Sequence, residues 1–264
     1  MDVPTPSLLH FPSLEAHSGL VHGVSTRQGG VSTGPFSSLN LGWTVGDSPE
    51  NVEANHGRLA RALAVRRQHL TTTWQVHSNR ILRAEMADRG TMIDKADGIV
   101  TNVPDLPLSQ RFADCTPLLV YDPGQHAAGL AHGGWRGTVA NVAGSLVAAM
   151  VEAFDSRPEE LLAVVGPAIG PCCYEVGPEV IAAVTERYPH KSRQLLRSGN
   201  GRRSKNGRAW FDLWESNRWQ LAEAGVEQIE VSAICTACHR NRFYSHRADG
   251  GRTGRFGAVV MLRA

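Results

Sequence analysis

Nothing in the 264 residues approaches the roughly 18 uninterrupted apolar positions of a membrane span, and no basic stretch followed by a long apolar one opens the sequence. A soluble, unexported, cytoplasmic protein is the expectation. Charge of one sign is also scarce. Lys and Arg number 27 against 25 Asp and Glu, a net +2 that is too small for the whole-surface basicity of a non-specific nucleic-acid binder. Neither nucleic acid nor membrane is expected as a partner, and any anionic ligand has to be held locally. Cysteine is sparse: Cys115, Cys172, Cys173, Cys235 and Cys238 make an odd number with two adjacent, which suits a reduced compartment better than a disulfide framework.

Several motifs are missing. There is no GxxxxGK[ST], GxGxxG or HExxH, so P-loop, dinucleotide-binding and zincin readings lose their usual support. The HxE plus PCxxC pair of nucleobase deaminases is absent. None of the 11 histidines forms an HxH pair, so a multi-copper ligand set is not visible.

What is there reads as one mixed α+β domain over residues 1–264, without repeats or linkers. Residues 22–30 predict a strand entering a glycine turn at Arg27. Ser48-Pro49-Glu50 is a cap, a first-turn proline and an acid, opening a helix to about residue 65. A strand pair is expected at residues 71–76 and 80–84, and two buried strands joined by Asp122-Pro123-Gly124 at 117–131. A core helix is predicted at 138–154, a strand at 161–165 and helices at 177–187 and 212–224, the last with a capping-box pattern. Closing strands are expected at 229–234 and 256–262. Residues 190–208 carry seven Lys or Arg and no acid, the pattern of a solvated basic surface loop.

Three polar residues interrupt or end apolar segments: His77, Cys115 and His132. Two neutral imidazoles and a thiolate would make a three-ligand zinc site with a position left open, although spacings of 38 and 17 residues match no local pattern and, on spacing alone, unrelated hydrogen-bonded core residues are the favoured explanation. Cys235 and Cys238 form a CxxC with His239 and His246 nearby, open to a metal-knuckle, redox or packing reading; no second CxxC completes a four-ligand site. For the adjacent Cys172 and Cys173, an extended segment would let at most one face a site. Arg27, Arg136, Arg247, Arg252 and Arg255 lie beside glycines, where guanidinium forks and exposed N–H groups suit an anion.

Seven ordered segments then carry a resemblance: STRQGGVS at 25–32, QVH at 75–77, ADG at 96–98, ADCTP at 113–117, AHGGWRG at 131–137, GPAIGPCCYEV at 166–176, and FYSHR at 243–247 with TGR at 253–255. Together they closely resemble the YfiH family, also called laccase-domain or polyphenol oxidase proteins and regarded as purine nucleoside phosphorylases with adenosine deaminase activity. The resemblance implies layered mixed sheets flanked by helices, and a zinc ion (Zn2+) held by His77, Cys115 and His132. It implies substrate contacts from Arg27, Asn40 and Cys173, to which the residue reading adds Arg136; Arg27 or Arg136 is expected to orient the phosphate. Asp114, beside Cys115, is the expected proton carrier, or else orients a ligand; with Cys115 and His132 it makes the expected catalytic set. Purine nucleosides (adenosine, inosine, guanosine, methylthioadenosine) and phosphate are the implied partners, and a monomer is the favoured state. The chain departs from the family pattern at Gly133, where Ala is usual, and at Ala248, where a second Arg is frequent. Two rivals remain: a metal-free cysteine hydrolase with Cys115 as nucleophile and His132 as base, acting on a peptide or cell-wall precursor, and a structural zinc module built on Cys235, Cys238, His239 and His246.

Overall fold

The computed structural model describes residues 4–197 and 208–264. Two sheets packed face to face make its centre, and the sequence dictates this through strands that are apolar on both faces. The larger sheet runs in the order Gln228–Val231, Leu162–Val165, Thr116–Asp122, Ala127–Gly133, Gly98–Thr101 and Ile81–Arg83. Its outermost pairs are parallel and its inner ones antiparallel. Within Thr116–Asp122, Leu118 and Val120 join the cluster under the helix Val142–Phe154, while Leu119 and Tyr121 join the cluster shared with the second sheet.

That second sheet is antiparallel: Leu8–Leu9, Leu20–Ser25, Phe256–Leu262 and Leu108–Phe112. Ala258 and Val260 meet the larger sheet, whereas Val259 and Met261 pack with Leu59 and Ala60 of the helix Pro49–Ala62. The layers are therefore helix, sheet, sheet, helix in one domain. Each fully buried Leu or Val in them stabilises by about 1.5–3 kcal/mol.

Local chemistry sets the ends. Ser48 Oγ accepts the N–H of Asn51 at 3.4 Å and caps the helix Pro49–Ala62. This helix stops short of residue 65 because Ala64 takes a left-handed φ of 54°. Asp212 Oδ1 accepts the Glu215 N–H at 3.0 Å and caps Leu213–Glu223.

Three expectations need correction. The helix expected at 138–154 is two, Trp135–Val139 and Val142–Phe154, broken where Asn141 adopts φ 67°. The strands near 71–76 and 80–84 exist, but do not pair with each other: Thr72–Trp74 runs parallel to Met92–Lys95, and Ile81–Arg83 parallel to Gly98–Thr101. The intervening residues 76–78 instead wrap around Asp97. In the basic segment 190–208, the helical turn Ser192–Leu195 and the strand Leu196–Arg197 are ordered structure, the strand pairing with Ala209–Phe211; residues 198–207 lie outside the described residues. No helix among the described residues is long and apolar enough to cross a membrane.

Candidate functional site

The hairpin of Thr116–Asp122 and Ala127–Gly133 fixes two of the three residues expected to share a metal. Its register pairs Thr116 with Gly133 and Pro117 with His132, so Cys115, just before the first strand, ends beside His132. The loop after Thr72–Trp74 brings His77 to the same point. One ligand atom from each of His77, Cys115 and His132 lies within 4.8 Å of the others. The His77 and His132 rings stand edge to face, their centroids 5.0 Å apart.

Asp97 organises this cluster. Its Oδ1 accepts from His132 Nδ1 at 2.9 Å and from the His77 N–H at 2.9 Å; its Oδ2 accepts the N–H groups of Val76 (3.1 Å) and Ser78 (2.6 Å) and the Ser78 hydroxyl (2.9 Å). Burial alone would raise the Asp97 carboxyl, but the bond to His132, the imidazole's charge and the Ser78 donors hold it at about 2. An ionised Asp97 fixes a proton on His132 Nδ1 and leaves Nε2 for the cluster. Burial likewise opposes the charged forms of Cys115 and His132. Each stabilises the other's charge, so the thiol is drawn down and the imidazole up.

The backbone is held in uncommon shapes on either side of the ligands. His77 has φ 63° and Asp114 φ 84°, left-handed conformations that the surrounding hydrogen bonds stabilise. Asp114 is fully engaged: Oδ1 accepts from Thr236 Oγ1 and Oδ2 from the Arg247 N–H, both at 2.7 Å. These bonds fit the ligand-orienting alternative for Asp114. Behind the site the chain must be bare, because a Cβ on Gly134 would fall 2.9 Å from His77 Cδ2 and 3.0 Å from Cys115 Sγ.

The donor set suits a metal. Two imidazole nitrogens and a sulfur around tetrahedral zinc stand roughly 3.3–3.6 Å apart, inside the 4.8 Å that bounds the three atoms here, and three protein ligands leave a fourth position.

The cluster opens into a cavity of about 600 Å³. Trp43, Trp74, Trp135 and Tyr174 supply aromatic faces; Arg111, Arg136, Arg247 and Arg255 supply guanidinium groups; Gln75 and His246 add polar atoms. Arg136 lies over the Trp135 ring at 4.3 Å and Arg247 over Tyr174 at 5.1 Å. Among the described residues, Arg111, Arg247 and Arg255 have no carboxylate ion-pair partner, and Arg136 has only Glu179 at 3.6 Å. Burial, then the charge of Arg255, pulls the Arg111 guanidinium below its ordinary value; burial does the same to Arg255. Such a pocket favours an anion and a flat ring.

Of the expected substrate contacts, Arg136 lines the cavity; Arg27, Asn40 and Cys173 do not. Arg27 spends Nε on Ser37 O (2.8 Å) and Nη1 on Arg240 O (3.0 Å), with its guanidinium 4.4 Å over Tyr244. Asn40 is buried and reaches the site only indirectly, its Oδ1 accepting the Arg255 N–H at 2.9 Å. Cys173 stands with Cys172, Cys235 and Cys238. The set Cys235, Cys238, His239 and His246 is not assembled: His246 faces the cavity, and His239 Nδ1 bonds Cys235 O. Sequence reading missed Arg111, although the alternation in Leu108–Phe112 points Ser109 and Arg111 off the core face. It quoted Asp97 only within a motif, since an acid before glycine reads as a turn residue.

Residues 21–263 match the sequence model of a family described as multi-copper polyphenol oxidoreductase laccase. The chain is 38% identical over 255 residues to the purine nucleoside phosphorylase YlmD of Geobacillus stearothermophilus, covering 93% of this chain and 91% of that protein. It is 34% identical to the purine nucleoside phosphorylase YfiH of Escherichia coli K12, covering 97% and 99%. The crystal structure of the hypothetical protein YfiH of Bacillus licheniformis superposes with a TM-score of 0.91 at 35% identity, covering 98% and 97%. That of YlmD from G. stearothermophilus gives 0.90 at 36% identity, covering 100% and 98%.

Proposed function

The chain belongs to the YfiH, or laccase-domain, family, and from that membership we propose that it is a zinc-dependent purine nucleoside phosphorylase that also deaminates adenosine. The observation that carries the reading is a two-imidazole, one-thiolate cluster opening into a cavity lined by aromatic faces and by guanidinium groups that are short of carboxylates. His77, Cys115 and His132 would hold the zinc, which when bound polarises a substrate group or lowers the pKa of water towards about 7.

The chain's own residues account for the rest. Tryptophan faces stack the purine, and Arg111, Arg136 and Arg255 present forks to phosphate oxygens. In phosphorolysis a phosphate oxygen bonds C1′ of the ribose as the C1′–N9 bond breaks. The purine leaves with the electron pair and takes up a proton, and ribose-1-phosphate forms. Positioning the phosphate and stabilising developing charge supply most of the rate. In deamination a water oxygen bonds C6 of adenosine and ammonia departs. Asp114 acts as a positioning residue beside Cys115. Asn40 supports the backbone of Arg255, and Arg27 braces the loop containing Ser37. Adenosine, inosine, guanosine and methylthioadenosine are the substrates, and five unpaired cysteines suit the cytoplasm.

Incubating zinc-loaded protein with adenosine, with and without phosphate, should yield adenine, ribose-1-phosphate and inosine on chromatography. Absence of all three overturns the reading, and copper in place of zinc by elemental analysis overturns its metal. One observation favours a second reading: Cys115, His132 and Asp97 lie in the order of a nucleophile, base and orienting acid. His77 has no part in such a triad. Alkylation of Cys115 at equal rates in metal-loaded and metal-free protein would favour the triad.

A further inference from the structure

A second group of ligand atoms lies outside the cavity lining. Cys172, Cys173, Cys235 and Cys238 each offer a sulfur, and all four lie within 4.8 Å of one another. The sulfur of Cys238 is 3.6 Å from that of Cys172 and 3.4 Å from that of Cys173, too far for a disulfide; all four thiols are free. We propose that these four cysteines bind one structural zinc ion, independently of the His77, Cys115 and His132 cluster.

Packing does not explain the gathering. A cysteine used as a small hydrophobe is buried, yet Cys172 and Cys238 are exposed and only Cys235 is buried. Geometry does. Four thiolates around tetrahedral zinc at about 2.3 Å have sulfur–sulfur edges of roughly 3.8 Å, close to the separations here. An all-sulfur tetrahedral set selects a soft or borderline cation over magnesium or calcium, and four protein ligands leave no position for substrate.

The backbone is shaped for it. Residues 171–173 form a turn rather than extended chain, with the N–H groups of Cys173 and Tyr174 both reaching Gly170 O at 2.9 Å. The adjacent sulfurs therefore converge, contrary to the expectation that at most one faces a site. This pair takes the place of the missing second CxxC. Cys235 Sγ already accepts the Gly170 N–H at 3.2 Å. The two loops are stitched by Ala168 N–H to Ile234 O (3.2 Å) and Thr236 N–H to Ala168 O (3.0 Å).

The ion would lock one wall of the cavity. The first loop supplies Ile169 and Tyr174 to the lining, and in the second Thr236 holds Asp114 beside Cys115. Binding displaces the thiol protons to solvent, and no electron changes hands.

The full chain, purified reduced and without chelator, should contain two zinc ions by elemental analysis. Cys172→Ser and Cys238→Ser should each retain one, and Cys115→Ala should also retain one. Wild-type stoichiometry in soluble Cys238→Ser overturns the proposal. If the serine variants do not fold, cobalt-grown wild type and Cys115→Ala decide. Sulfur-to-cobalt charge-transfer absorption should fall by only about one fifth in Cys115→Ala, since one thiolate of five is lost. Its disappearance overturns the proposal, as do iron in place of zinc and a mass two hydrogens lighter that marks a disulfide. None of these readouts uses nucleoside turnover, so they stand or fall separately from the enzymatic reading.

Discussion

Asp97 accepts the Nδ1 proton of His132 at 2.9 Å through the oxygen that also receives the His77 backbone N–H, so one carboxylate sets two of the three candidate ligands. Asp97→Asn removes the charge and places an amide where only acceptors fit. Metal affinity, measured by competition with a chromogenic chelator, should fall 10- to 100-fold. Unchanged affinity would mean that His132 is oriented by packing alone.

Neighbouring glycines should respond differently to the same added methyl. Gly134→Ala drives a Cβ into His77 and Cys115, with contacts at or under 3.0 Å, and should abolish stoichiometric zinc at that site. Gly133→Ala meets Asn217 Oδ1 at 3.2 Å and the backbone Thr116 O at 3.3 Å, contacts that a shift of a few tenths of an ångström relieves. Its zinc content should stay at the wild-type value, with at most a small drop in melting temperature.

Phosphate recognition separates the two proposed reactions. Arg111→Met or Arg255→Met removes a charge-assisted donor, worth about 1.5–3 kcal/mol, and should raise the phosphate KM roughly ten- to a hundredfold. Deamination, which consumes no phosphate, should keep most of its kcat. Arg27→Met should leave the phosphate KM within a few-fold, because its guanidinium lies outside the cavity lining. Equal losses in both reactions would move these arginines from phosphate to purine or ribose.

Two buried histidines make the fold acid-sensitive. His22 Nε2 accepts the Phe11 N–H at 2.9 Å, and burial followed by the charge of His10 lowers the imidazole to about 4. His56, bonded to Leu41 O at 3.0 Å, is lowered to about 3 by burial and the charge of Arg67. Because the unfolded chain takes up these protons first, near pH 6.5, the stability is fully present above that pH. It is lost as pH falls towards 4, at about 1.4 kcal/mol per unit of depression for each group. Melting temperature should therefore fall between pH 6.5 and 4.5. His22→Gln, which keeps an acceptor for Phe11, should flatten part of that slope; an unchanged slope would exclude His22 as a source.

Much of the architecture was legible because burial wrote itself into composition. The runs around Leu118 and Leu130 are apolar at every position since both faces of those strands are covered. Ser48 and Asp212 marked helix starts through their own side chains. The partners of Thr72–Trp74 and Ile81–Arg83 were not legible, because both strands find theirs across residues 92–101 and no local pattern encodes that choice. The same limit applied to the site. His77, Cys115 and His132 stood out as polar interruptions, but only the sheet register unites them. Arg111 and Asp97 stayed hidden because each looks ordinary until its neighbours are in place.

The register of the central hairpin has a consequence for how the protein matures. Cys115 and His132 meet only when Pro117 faces His132 across the two strands, and a slip of one residue would turn one of the pair away. Before the middle sheet has closed, a newly made chain offers two scattered imidazoles and a thiol with no shared focus. Uptake of the proposed cation at this centre would thus be a late event of assembly, and stripping it from finished, metal-loaded protein should be reversible by simple readdition, without a cycle of denaturation and renaturation.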